Sequence, residues 1–159
     1  MPGVGKTTIG KSLSRMLNVK HIDTDDVIES EQASSVFDII ENKGESVFRS
    51  LEKKCLGHSL NQEQPAVIST GGGVVVDSDN RVLIKNKARV IHIKCSLDEI
   101  AKRLSSSSHF LLYNTNKKQK LNDLWSERSS WYESAAHNEI DITGLSELHA
   151  AQRLYEEIR

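Results

Sequence analysis

The chain has 159 residues, 37% of them hydrophobic and 27% charged, with 21 lysines and arginines against 22 aspartates and glutamates. That length suits one globular domain, and a net charge of −1 supplies no field to draw in nucleic acid or an anionic membrane. With no apolar run near the roughly 18 residues of a membrane span, no secretory opening, and only Cys55 and Cys95 as thiols, a cytoplasmic protein without disulfide framework or zinc site is expected.

Hydrophobic periodicity predicts a helix over Lys6–Leu17 and a short strand, Val19–Asp23. Asp25–Glu31 and Val36–Asn42 read as short helices. Glu45–Leu60 reads as a longer one, with Val47, Phe48, Leu51 and Cys55 as its apolar stripe. Ala66–Ser69 is a buried-type strand that runs into Thr70 and three glycines. Asn80–Lys87 reads as helix, Arg89–Lys94 as strand and Leu97–Leu104 as helix. A polar stretch follows, from Ser105 to Lys120. Beyond it come a helix over Leu121–Ala136, a strand Ile140–Thr143 and a last helix from Glu147. Strands alternating with helices predict an α/β fold built on a parallel sheet, in one domain over residues 1–159.

The opening residues, Met1-Pro2-Gly3-Val4-Gly5-Lys6-Thr7-Thr8, carry Gly5-Lys6-Thr7, the closing half of a phosphate-binding loop. Glycines let backbone N–H groups turn inward around phosphate oxygens, and the following helix adds its positive end. Gly3, Val4, Gly5, Lys6, Thr7 and Thr8 are therefore the candidate ATP-binding residues, with Lys6 on the β- and γ-phosphates and the Thr7 hydroxyl on Mg²⁺. The plain alternative is a glycine-rich helix start. The loop's first glycine falls one residue upstream of Met1, and no strand feeds the loop. Met1 is accordingly expected to be an internal residue of the natural chain. Loss of that strand would leave neighbouring strand edges unpaired.

Four further features follow in order: Asp23-Thr24-Asp25; Gly44-Glu45 leading to Phe48-Arg49 and Glu52; Thr70-Gly71-Gly72-Gly73; and Arg128 with Tyr132. Asp23 and Asp25 close a strand at the sheet end where open α/β sheets bind ligands, and alternation would put both side chains on one side. Either could instead cap the next helix. Arg49 and Glu52 lie three apart, on one helical face. A guanidinium fork suits a planar carboxylate, and Glu52 could pin it; an exposed ion pair is the plain alternative. Three successive glycines allow close approach of a ligand to the backbone.

Together these motifs resemble shikimate kinase, a small phosphate-loop kinase of the nucleoside-monophosphate-kinase type, along essentially the whole chain. The resemblance implies a three-layer α/β kinase with a mobile lid over about 105–120 and the first strand missing. It implies ATP as phosphoryl donor, Mg²⁺ on Thr7 and Asp23, and shikimate held by Asp25, Arg49, Glu52, Gly71, Gly72, Gly73 and Arg128. A monomer is implied, with no nucleic-acid or membrane partner. Lys6, Asp23 and the lid carry the chemistry in such an enzyme. Where the family's lid has arginine before Pro-Leu-Leu, this chain has His109-Phe110-Leu111-Leu112, so His109 is the candidate lid cation, with Lys117 and Lys118 as substitutes. Arg103 resembles the residue that packs over adenine; a solvated helix end is its alternative. The Pro-Leu that precedes the tyrosine in the family is Ser130-Trp131 here. A sugar-acid kinase of gluconate type and a nucleotide-binding pseudokinase are the competing readings.

Overall fold

Side-chain caps punctuate the chain: Asp23, Ser35, Asp77, Asn116 and Ser146 each accept a hydrogen bond from a backbone N–H just inside the helix that follows. The computed structural model describes residues 1–105 and 116–159. Its elements are α1 (Lys6–Leu17), β1 (Lys20–Asp23), α2 (Thr24–Gln32), α3 (Val36–Lys43), α4 (Glu45–Leu60), β2 (Ala66–Ser69), α5 (Ser78–Lys87), β3 (Ile91–Lys94), α6 (Leu97–Ser105), α7 (Lys117–Ala135), β4 (Asn138–Asp141) and α8 (Glu147–Ile158). A single 3-10 turn, Val74–Val76, follows the glycine run.

β1 pairs parallel with β2, Lys20 opposite Ala66, and β3 pairs parallel with β4, Ile91 opposite Asn138. Parallel pairing with helical crossovers is the arrangement the sequence predicts. Among the described residues these are two separate two-stranded sheets, because β2 and β3 do not pair. A cavity of about 380 Å³ lies between them, lined by Val67, Ile68, Ile91 and Ile93 with Leu13 of α1 and Leu154 of α8. The main core gathers Ile9, Leu56, Ile100, Leu121 and Ile142. A smaller one, of Ile28, Val36, Ile39, Phe48 and Cys55, ties α2, α3 and α4 together. That second core matters for function, since it sets α4 against the start of α2.

Several boundaries differ from expectation. α7 begins at Lys117, inside the stretch read as lid, because Asn116 caps it by accepting from the Gln119 N–H at 3.3 Å. β4 runs over Asn138–Asp141 rather than Ile140–Thr143. There Asp141 accepts from the Thr143 N–H at 2.8 Å, and this turn ends the strand. No helix among the described residues is long and apolar enough to cross a membrane.

Candidate active site

The N-terminus of α1 meets the C-terminal ends of β1 and β2. Gly5, the residue before α1, has φ 99°, a left-handed conformation that side chains resist and that turns the loop into the helix. Behind it, Lys6 donates from Nζ to the Met1 carbonyl at 2.8 Å, spanning the loop from inside. Burial lowers the Lys6 ammonium pKa, while Asp25 and Asp23 pull the other way. Thr7 Oγ1 donates to Asp23 Oδ2 at 2.7 Å, so a hydroxyl and a carboxylate stand side by side at the loop's edge.

Asp23 does two jobs. Its Oδ1 accepts the Asp25 N–H at 3.1 Å as the cap of α2, while Oδ2 serves Thr7. The cap alternative and the functional reading therefore coexist. Strand alternation, however, is not what brings the two aspartates together: β1 ends at Asp23, and Asp25 already sits in the first turn of α2. The sharp strand-to-helix corner aims Asp25 at the glycine run instead. A Cβ at Gly71 would stand 2.9 Å from Asp25 Oδ1 and 3.0 Å from Glu52 Oε1, and one at Gly73 would overlap the Arg49 guanidinium. Only bare backbone fits there. Gly71 N–H is held in place by Thr24 Oγ1 at 3.3 Å.

Arg49 donates through Nη1 to Glu52 Oε2 at 2.8 Å, as the spacing predicts. Its other edge is taken by Glu45, at 2.8 Å from Nη2 and 3.2 Å from Nε. Glu52 is buried, Glu45 is exposed, so the inner contact is fixed and the outer one is free to exchange. Burial opposes the Arg49 charge, but Glu52 and Glu45 outweigh it and hold the guanidinium above its ordinary value. Burial also raises the Glu52 carboxyl, against the pull of Arg49 and Arg128. Asp25 is pushed up to about 6, by burial first and then by Asp23 and Glu52.

Polar atoms converge here without protein partners. Among the described residues, Asp25 Oδ1, Glu52 Oε1 and Arg128 Nε are buried and make no hydrogen bond. Arg128 is 8% exposed, and among the described residues its Nε has the Glu127 carboxylate at 3.4 Å as its ion partner. Each buried polar atom left unpaired costs about 1–3 kcal/mol, more when charged. A cluster of that kind is ordinarily a ligand site.

A sequence model of the family described as shikimate kinase matches residues 2–159. The chain belongs to the shikimate kinase family. It is 37% identical over 139 residues to the shikimate kinase of Staphylococcus epidermidis, covering 87% of this chain and 81% of that one. With the shikimate kinase of Dictyoglomus turgidum it shares 34% over 142 residues, covering 88% and 83% of the two chains. Among solved structures, the shikimate kinase of Acinetobacter baumannii in complex with shikimate superposes with a TM-score of 0.94 at 29% identity, over 98% of this chain and 87% of the other. The Bacteroides thetaiotaomicron shikimate kinase superposes with 0.88 at 26% identity, over 99% and 93%. The α/β kinase fold and membership of a kinase family stand on these matches.

Within this shikimate kinase fold, Arg103 reaches back from α6 to the phosphate loop, donating through Nη1 to the Val4 carbonyl at 2.9 Å while Glu99 holds its other side. It is a tethered side chain rather than a solvated helix end. Thr8 is exposed at the start of α1, beside the loop. Lys118 is engaged with Asp98 at 2.7 Å. His109 lies outside the described residues. Two residues named within the sequence motifs, Glu45 and Thr24, prove to be contributors whose roles the motifs did not assign. Glu45 stands one helical turn before Arg49, a visible signal; Thr24 shows its use only once β2 is placed beside it.

Proposed function

We propose that this protein transfers the γ-phosphoryl group of ATP to the 3-hydroxyl of shikimate. The observation that carries the reading is the trio of buried, unpaired atoms of Asp25, Glu52 and Arg128 around a glycine run that lies against the first residues of the phosphate loop. Shikimate is a carboxylate with vicinal hydroxyls. Guanidinium groups at Arg49 and Arg128 complement the carboxylate, Asp25 complements the hydroxyls, and Gly71, Gly72 and Gly73 let the ring lie against backbone.

Thr7 and Asp23 offer adjacent hard oxygen donors, which fit Mg²⁺ taking its remaining ligands from phosphates and water. Bound there with the nucleotide, the ion supplies neutralisation of charge on the β- and γ-phosphates. The chain's own residues do the rest. Lys6, released from the Met1 carbonyl, donates to the phosphates. Asp23 stands beside the attacking hydroxyl, and Asp25 accepts hydrogen bonds from the substrate hydroxyls in its ionised form. Arg103 holds the loop edge toward the adenine side. His109 as an imidazolium supplies the lid's charge to the transferring group. The protein acts as a monomer in the cytoplasm, a compartment that two free thiols suit.

A coupled ADP-release assay with shikimate and with gluconate tests this. ADP release is expected with shikimate and not above background with gluconate. Release with gluconate alone would move the activity to sugar acids, and release with neither would leave a nucleotide-binding pseudokinase.

A further inference from the structure

Tyr132 lies one turn beyond Arg128 on α7 and is 7% exposed. Its hydroxyl donates to the Gly72 carbonyl at 2.6 Å, a bond that crosses from α7 to the glycine run. The Arg128 charge nearby partly offsets the rise that burial imposes on the phenol. The hydroxyl thus ties α7 to a segment sixty residues earlier in the chain.

The ring is as firmly held as the hydroxyl. His92 of β3 stacks on it with centroids 5.0 Å apart and planes 22° from parallel. Trp125 lies against the same imidazole, with centroids 6.2 Å apart. His92 is buried in turn, and Glu139, directly opposite on β4, meets its Nδ1 at 2.7 Å. The phenol cannot swing without breaking this stack. Because a peptide is planar and trans, fixing the Gly72 carbonyl also fixes the direction of the Gly73 N–H.

We propose that Tyr132 is a positioning residue for the acceptor substrate, holding the Gly72–Gly73 peptide in one orientation so that the substrate ring meets a fixed backbone surface. The inference rests on the shikimate reading of the site. It assigns Tyr132 no contact with the reacting atoms. Its effect therefore falls on the acceptor and not on the nucleotide.

Tyr132→Phe removes the hydroxyl and keeps the ring in its stack, so the protein stays folded. Steady-state kinetics are run for both substrates on the wild type and the variant, with thermal melts alongside. The shikimate KM is expected to rise about three- to tenfold, from one neutral hydrogen bond lost, while the ATP KM stays within twofold. A purely structural role would move both KM values together or neither. An active wild type with an unchanged shikimate KM in Tyr132→Phe overturns the inference alone. A wild type that releases no ADP with shikimate overturns the site reading and this inference with it.

Discussion

Asp25→Asn is expected to lower kcat/KM for shikimate by ten- to a hundredfold or more, and at the same time to make the protein more stable at neutral pH. The loss follows from removing a charged acceptor for the substrate hydroxyls, worth about 1.5–3 kcal/mol. The gain follows from the same burial that prepares the site. Asp25 titrates at about 6 instead of 3.8, chiefly because burial disfavours its charge and Asp23 and Glu52 repel it. A folded-state pKa above the unfolded one means that the native state holds the proton more tightly. The stability this supplies is complete below pH 4 and is lost as pH rises through about 6, amounting to about 3 kcal/mol at neutrality. Asparagine carries no charge to lose. Its amide must still find partners, so a net gain of about 1–2 kcal/mol, or roughly 3–6 °C in melting temperature, is expected. Melts at pH 7.5 and at pH 4 check the sign: the advantage should be present at the first and vanish at the second. In the wild type, kcat/KM should fall as pH drops through about 6.

Lys6→Ala should reduce kcat with shikimate by about 10²–10³, since it removes a preorganised donor from the transferring phosphates. A second consequence is independent of turnover. Lys6 holds the Asp25 pKa down, and its removal should lift that carboxyl above its present value of about 6. A carbon-detected NMR titration of the Asp25 carboxyl in both proteins reads this directly. An unmoved Asp25 would mean that the phosphate and acceptor subsites are electrostatically separate.

Much of this was legible from residue patterns, and the exceptions have physical causes. Glu45–Leu60 and Ala66–Ser69 have the limits that periodicity and flanking glycine or proline predict. β4 begins two residues early because Asn138 and Glu139 pair with Ile91 and His92, a tertiary demand that local polarity conceals. The start of α7 was hidden in a lysine-rich stretch, although Asn116 and Gln119 are a readable cap. In the site, the Arg49–Glu52 contact was visible as helical spacing. The convergence of Asp23 and Asp25 was expected on the wrong ground, strand alternation, where a helix corner does the work. Tyr132 appeared in the sequence only as a companion of Arg128. Its bond to Gly72 joins residues sixty apart in the chain, and no local pattern encodes that.

Calorimetric titration of the wild-type protein with shikimate and with shikimate methyl ester tests the assembled site most directly. The ester keeps the ring and hydroxyls and removes the charge that Arg49 and Arg128 are placed to receive. Charge-assisted, forked hydrogen bonds predict at least tenfold weaker binding of the ester, with the difference reduced in Arg128→Ala. Equal affinity for acid and ester would contradict the assignment of this buried cluster as a carboxylate-and-hydroxyl site.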